Sequence, residues 1–417
     1  ICRICPKKII NSLQKYTTKY LDLIIKNRLR IIMQHFEFNT TPLIKFGSGC
    51  LEQLGNITLK KIGNKILIIT DKGIIETGII EKALRSLKEA NVDYTIFSDV
   101  QADPPESNIL ESTNLSIEKS VDGIIGIGGG SSLDVAKVTA VLSKQQEKLN
   151  EIYGIDNIKG HRLPLILIPT TAGTGSEVTP VSIVTTGKSE KMGVVSNKII
   201  PDAAILDPEL TMGLPPHITA ATGIDAMVHA IEAYTSKSQN NNPISRSLAK
   251  KALRLMGKSI ETAVHSGSNI EARSNMLLGS MFAGQAFANS PVAAVHALAY
   301  PIGGHFKVPH GLSNALVLPH VLKFNAVTSP HIYSEIAYCV FPNLKGNSSQ
   351  EIAQEFVEKL SELSKRCGLQ QKLSEVGIKS NSLNMLAREA MNQTRLLVNN
   401  PRDLNEKDAF HIYKAAL

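Results

Sequence analysis

From residue 65 onward the chain alternates short apolar runs with stretches whose apolar residues recur at helical spacing. KILIITD (65–71) is an apolar run closed by polar residues, which predicts a buried strand. Residues 78–90 carry helical spacing, YTIFSDV (94–100) predicts a strand, and 106–120 a helix. DGIIGIGGG (122–130) reads as a strand running into glycines, followed at once by a helix over SLDVAKVTAVLS (132–143). LPLILIPTT (163–171) and AAILDP (203–208) add further strands. Strands alternating with helices predict parallel βαβ units and an α/β layer. After LPPHIT (214–219) strand-like runs nearly vanish, and helices are predicted over 219–236, 243–265, 270–289, 350–367 and 403–416. The pattern therefore predicts an α/β half over 33–212 and an all-helical half over 213–417, with the change near 210–217.

One helical stretch breaks its own apolar pattern. GIDAMVHAIEAY (223–234) looks like a helix opening at Gly223, yet Asp225 and His229 stand four apart among Ala, Met, Val and Ile. Residues at i and i+4 share a helix face. A buried hydrogen bond explains such a pair, and so does half of a metal site. Downstream, AVHALAYPIGGHFKVPHG (294–311) supplies His296, His305 and His310. Nitrogen and oxygen ligands from two segments suit a divalent metal with an open position, and imidazole with carboxylate favours Fe²⁺ or Zn²⁺ over Ca²⁺ or Mg²⁺. Spacing alone does not choose among the three downstream histidines. Glu232, one turn after His229, is placed to orient a ligand, and Tyr300 lies one turn after His296.

Three features of the first half carry nucleotide chemistry. GIGGGSSLDVAK (126–137) places three glycines and two serines between a strand and a helix start. Exposed backbone amides and the helix N-terminus suit a pyrophosphate, although a tight turn offers a similar pattern. IPTTAGTGSEVTP (168–180) opens a strand into a loop rich in Thr170, Thr171, Thr174 and Ser176, where α/β sheets bind ligands. An ordinary polar loop with a helix cap at Ser176 or Thr179 is the plainer alternative. Asp71 ends a strand, as does an acid that bonds a ribose hydroxyl, which favours NAD over NADP; a turn Asp looks the same.

Charge and composition narrow the classes. The chain of 417 residues has a formal net charge of +8. Residues 1–32 hold eight Lys/Arg against one acid, Asp22, leaving 33–417 at +1, with no electrostatic footprint for nucleic acid. That leading segment is expected to be an organelle-targeting stretch or translated upstream sequence outside the fold, since Met33 follows it. Cys2 and Cys5 form a lone Cys-x-x-Cys without a second pair. Five scattered cysteines do not make a disulfide scaffold and fit a reduced, intracellular protein. No stretch of 18 uninterrupted apolar residues predicts a membrane span.

Taken in order, GGGSSLDVAK, PTTAGTGSEVT, GIDAMVHAIEAY and HALAYPIGGHFKVPHG resemble the iron-containing (group III) alcohol dehydrogenases. The resemblance runs from about residue 36 through NPRDLNEKDAFHIYKAAL (400–417). It implies an α/β NAD-binding domain followed by an all-α metal-binding domain, a dehydroquinate synthase-like architecture with the active site in the cleft between them. It also implies Asp225, His229, His296 and His310 as metal ligands, leaving His305 outside that set. Gly129, Gly130 and Ser131 would meet the cofactor pyrophosphate, and Asp134 and Ser176 would also belong to the cofactor site. Thr170, Thr171 and Thr174 would line the nicotinamide side, Lys191 the nicotinamide ribose, and Asp71 the NAD preference. The expected activity is NAD-dependent hydride transfer between small alcohols and aldehydes or ketones, with Fe²⁺, or alternatively Zn²⁺.

There is one departure: many members carry a second histidine four residues after the third ligand, where this chain has Tyr300. With an ordinary pKa of about 10, a phenol is a poorer proton shuttle near neutrality. Tyr300 and His305 are both expectations for a proton relay. A branch similar to the hydroxyacid–oxoacid transhydrogenases also has Tyr there, and its activity is an alternative. A nucleotide-binding sensor with a vestigial site is the non-enzymatic alternative. The implied partner is a small-molecule alcohol or aldehyde, with no nucleic acid and no membrane. A homo-oligomer, dimer or larger, is expected in the cytoplasm, or in an organelle such as the mitochondrion if 1–32 is a targeting segment.

Overall fold

The strands predicted in the first half form because their residues are apolar on both faces. In the computed structural model, which describes residues 35–187 and 190–417, six parallel strands make one sheet. They are β1 (Ile44–Phe46), β2 (Lys65–Ile69), β3 (Asp93–Phe97), β4 (Gly123–Gly128), β6 (Leu165–Pro169) and β9 (Ala203–Leu206), in the order β1-β9-β6-β4-β2-β3. Successive side chains alternate faces. Leu67, Ile69, Ile124 and Leu167 therefore pack on one side, while Ile66, Ile68, Ile125 and Ile168 pack on the other. Helices α1 (Leu54–Lys61), α2 (Lys72–Glu76), α3 (Glu81–Glu89), α4 (Glu106–Glu118) and α5 (Gly130–Leu142) connect the strands, with a short α6 (Leu149–Ile152) after them. A small second sheet joins β5 (Gly154–Ile155) in parallel to β8 (Glu190–Val195), which pairs antiparallel with β7 (Val181–Thr186).

The chain runs from β2 outward to β3, then returns across β2 to β4. Strand order reverses there, and the crevice outside the strand C-termini at such a reversal is where α/β sheets hold ligands. Asp71 follows β2, and the glycines 128–130 end β4 and open α5.

The helical part begins with α7 (Pro216–Thr235), α8 (Pro243–His265), α9 (Ile270–Asn289), α10 (Ala294–Phe306) and α11 (His310–Ala326). It ends with α12 (Pro330–Val340), α13 (Ser349–Arg366), α14 (Leu383–Ala390), α15 (Thr394–Leu397) and α16 (Glu406–Ala416). The α/β fold with an all-helical second part is as the pattern predicts, and Phe38–Leu417 form one compact unit. Among the described residues no helix is long and apolar enough to cross a membrane. Cys50, Cys339 and Cys367 are buried free thiols. Cys2, Cys5 and the rest of the expected leader 1–32 lie outside the described residues.

Several ends differ from prediction for local reasons. The helix expected over 78–90 starts at Glu81, because Gly78 turns the chain at φ +70°. That expected over 403–416 starts at Glu406, where the Asn405 side chain caps the Asp408 amide. Gly223 does not open a helix. It lies inside α7, where a Cβ would stand 2.8 Å from Met276 Cε and 3.0 Å from Ile260 Cδ1, so its bareness lets α8 and α9 close on α7.

Candidate active site

Helix α7 is apolar almost all round and correspondingly buried, yet Asp225, His229 and Glu232 line up on one of its faces. Helix α11 meets that face closely. A Cβ on Gly311 would stand 2.4 Å from the Ala221 carbonyl oxygen, so only glycine lets the start of α11 settle there and bring His310 beside Asp225. Helix α10 brings His296 against both. One ligand atom from each of Asp225, His229, His296 and His310 falls within 4.8 Å of the others. The His229 and His296 rings stack at 4.7 Å, and Phe287 covers the other face of His229 at 4.4 Å.

The surroundings aim these groups inward. The Glu232 carboxylate accepts from His296 Nδ1 at 2.6 Å and from the Val295 and Ala293 amides at 2.7 and 3.0 Å. A proton fixed on Nδ1 leaves the lone pair of His296 on Nε2, and that nitrogen is buried without a hydrogen-bond partner, 3.8 Å from Asp225 Oδ1. His229 Nδ1 lies 3.2 Å from the Gly173 carbonyl, which fixes its tautomer in the same sense. The Asn314 amide donates to Asp225 Oδ1 at 2.6 Å. Burial alone would push the Asp225 carboxyl up, but the three imidazoles and Asn314 outweigh it and hold it below the usual range. Desolvation depresses His229 to about 3 and lowers His310, which favours the unprotonated form of these two rings. A carboxylate oxygen, imidazole nitrogens and a buried nitrogen without a hydrogen-bond partner are the donor set of a divalent iron or zinc ion.

Six of the ten nucleotide candidates converge on the same place, while Asp71, Gly129, Thr170 and Thr171 stand behind it and do not line it. Gly130, Ser131, Asp134, Thr174, Ser176 and Lys191 line a cavity of about 280 Å³ that the four candidate ligands and Tyr300 also line. Gly129 and Gly130 let the two loops touch: a Cβ on Gly130 would press Thr174 Cγ2 at 2.7 Å, and one on Gly129 would meet Thr171 Cγ2 at 3.6 Å. Thr170 is buried below them, its amide bonded to the Gly128 carbonyl. Asp71 caps α2 through the Ile74 amide and accepts from Ser132 at 3.3 Å, which ties β2 to the glycine turn. Ser176 is not a helix cap. Its hydroxyl donates to Asp134 at 2.6 Å, while Asp134 accepts the Ile183 amide at 2.8 Å, so this pair joins α5, the loop and β7. Beneath them the buried Lys137 donates to Thr179 and Val181, and burial lowers it to about 8. Lys191 pairs with Asp103 at 2.6 Å and donates to Thr185 at 2.9 Å.

His305 is not brought to the cavity. It stands nine residues after His296, half a turn out of phase on α10, and its Nε2 pairs with Glu389 on the outer side of the helix. Tyr300, four residues after His296, shares the inner face, with its ring 5.8 Å from that of His310. Desolvation pushes the Tyr300 phenol up, partly opposed by the Arg395 guanidinium beside it. Sequence reasoning passed over Asn314, Gly311 and Arg395. Asn314 carried a signal, standing four residues after His310; the other two did not.

This arrangement, a divalent-metal donor set facing a glycine-turn nucleotide crevice across one cavity, defines a metal- and nucleotide-dependent enzyme. The chain belongs to the iron-containing alcohol dehydrogenase family. Residues 41–208 match the family described as "Iron-containing alcohol dehydrogenase", and 219–417 match "Fe-containing alcohol dehydrogenase family, C-terminal". Long-chain-alcohol dehydrogenase 1 of Geobacillus thermodenitrificans is 39% identical over 383 residues, covering 90% of this chain and 95% of that protein. The NAD-dependent methanol dehydrogenase of Bacillus methanolicus is 34% identical over 91% of this chain and 99% of its own. The crystal structure of a 1,3-propanediol oxidoreductase superposes with a TM-score of 0.88 at 33% identity, covering 92% of this chain and all of that one.

Proposed function

We propose that this chain is an NAD-dependent, iron-containing alcohol dehydrogenase that interconverts small alcohols and aldehydes or ketones. One observation carries the reading: Asp225, His229, His296 and His310 present ligand atoms within 4.8 Å of one another, in the cavity that Gly130 and Ser131 also line. When bound, the metal supplies Lewis acidity toward an alcohol oxygen, and NAD⁺ accepts the hydride that leaves the carbinol carbon.

The chain's own residues do the rest. Asp225, His229, His296 and His310 hold the metal, with Glu232, Asn314 and the Gly173 carbonyl fixing their orientation. Gly129, Gly130 and Ser131 present backbone to the pyrophosphate, while Asp134 and Ser176 brace that turn against the hydroxyl loop. Thr170, Thr171 and Thr174 shape the nicotinamide side, Lys191 the ribose, and Asp71 the NAD preference. Phe287, Pro291 and Val292 give the cavity apolar walls that exclude water. Tyr300, protonated at neutral pH, orients by hydrogen bonding and does not shuttle protons. Residues 33–212 form the nucleotide-binding part and 213–417 the metal-binding part. The protein acts as a dimer or larger homo-oligomer, which rests on the family resemblance, and in the cytoplasm, which rests on the few scattered cysteines.

The test is metal analysis of anaerobically purified protein together with a screen of alcohols, read by absorbance of reduced nicotinamide. Stoichiometric iron or zinc and NAD-dependent turnover are expected, with His296→Ala losing both. A metal-free His296→Ala protein that keeps full activity refutes the assignment.

A further inference from the structure

The cavity holds a cation without a counter-charge. Arg395, on the short helix α15, lines the cavity between Tyr300 and the small sheet; a Cβ on Gly193 would stand 3.4 Å from its Nη2. Among the described residues no carboxylate lies within ion-pair distance of its guanidinium. The other charges of the cavity are engaged. Lys191 is held by Asp103, Asp134 accepts from Ser176 and Ile183, and Asp225 belongs to the ligand cluster. Arg395 sits beside the Tyr300 hydroxyl, and the Tyr300 ring lies 5.8 Å from that of His310. The guanidinium, without a carboxylate partner and hydrogen-bonded to the Tyr300 hydroxyl, thus lines the same cavity as the four candidate metal ligands, with Tyr300 next to both. The lining of that cavity also includes the apolar Val292, Val308 and Leu396.

We propose that Arg395 selects substrates that carry an oxyanion, a carboxylate or a sulfonate, at the end of a short chain remote from the alcohol carbon. A guanidinium matches the flat, two-oxygen edge of such a group and binds it by paired hydrogen bonds, which a neutral alcohol cannot offer. The apolar wall suits the methylenes between. This inference rests on the dehydrogenase reading above and adds the substrate class to it.

The test compares the metal-loaded protein on 4-hydroxybutanoate, 3-hydroxypropanesulfonate and neutral 1,4-butanediol. Arg395→Gln and Arg395→Lys accompany the natural chain, and non-reacting butanoate is titrated as a competitive inhibitor. The natural chain is expected to favour at least one anion over the diol in kcat/KM by roughly tenfold or more, the range of a charge-assisted hydrogen bond; which anion wins tells carboxylate from sulfonate. Arg395→Gln should erase that preference through KM and weaken butanoate inhibition by a similar factor. It should leave the diol and the KM for NAD within about twofold, and Arg395→Lys should restore part of the preference. Oxidation of the diol with no gain for either anion overturns this inference alone. So does a loss in Arg395→Gln that falls equally on the diol or appears in the KM for NAD. Failure to oxidise any of the three overturns the dehydrogenase reading and this one with it.

Discussion

Replacing Glu232 by glutamine keeps its size and removes one acceptor oxygen and the charge. The native carboxylate receives three buried donors: the Val295 amide on Oε1, and the Ala293 amide and His296 Nδ1 on Oε2. Glutamine offers one oxygen, so in either amide orientation an N–H₂ group faces a buried N–H. If the oxygen serves Ala293 and His296, the Val295 amide is orphaned at the start of α10, a cost of about 1–3 kcal/mol. If it serves Val295, His296 is driven to carry its proton on Nε2, the nitrogen that faces Asp225, His229 and His310. Orienting groups of this kind are worth roughly 10–100-fold in metal affinity, or about 1.4–2.7 kcal/mol. Glu232→Gln is therefore expected to fold with a lowered melting temperature and to bind iron or zinc about 10–100-fold more weakly, measured by competition against a chelator of known affinity. Glu232→Ala should do worse, leaving three donors unsatisfied. Metal affinity in Glu232→Gln within twofold of the natural chain refutes the claim that Glu232 sets the His296 tautomer.

Three further outcomes are expected. Lys137→Met leaves the acceptors on Thr179 and Val181 unsatisfied and strips Asp134 of its nearby cation, costing about 3–5 kcal/mol. Burial lowers Lys137 from 10.5 to about 8, so between those values the folded chain has shed a proton that the unfolded chain keeps. The native stability contribution accordingly grows as pH rises from about 8 to 10.5, and denaturant melts should show the gap to Lys137→Met widening across that window. His305→Ala breaks only a partly exposed pair with Glu389 and should cost under about 1 kcal/mol, with kcat and KM nearly unchanged; a tenfold fall in kcat would return His305 to the relay. Gly175 holds φ +60°, and a Cβ there would stand 2.6 Å from Gly284 Cα, so Gly175→Ala should lose about 2–5 kcal/mol in a thermal melt, part from the left-handed backbone and part from overpacking.

The parallel strands were legible because burial on both faces makes them uninterrupted apolar runs, as in Ile66–Ile69 and Leu165–Ile168. The hairpin of β7 and β8 was not, since its half-exposed residues mix Ser, Thr, Glu and Lys with the apolar positions. Helices α10 and α11 were seen only as a histidine-bearing segment, because Pro301, Gly303, Gly304, Pro309 and Pro319 interrupt the signal that a helix gives. That gap explains why the choice among three histidines stayed open until the family resemblance entered. Once α10 is known to run unbroken from Ala294 to Phe306, nine residues put His305 half a turn from His296 and four put Tyr300 on the same face. His310 follows no such rule. The helix stops at Phe306, Lys307 turns the chain at φ +55°, and α11 starts at His310 in a direction held by tertiary contacts, the Gly311–Ala221 approach and the Asn314–Asp225 hydrogen bond among them. Periodicity reaches side chains within one element, and turns and tertiary contacts decide between elements. Arg395 is the extreme case. It reaches Tyr300 across 95 positions of sequence from a four-residue helix, so no local pattern announces it. Binding the reacting oxygen needs groups that one or two helices can array at fixed spacing, whereas recognising the far end of a substrate needs a group from wherever the chain happens to return. The part of this site most readable in sequence is therefore its chemistry, and the least readable is its specificity.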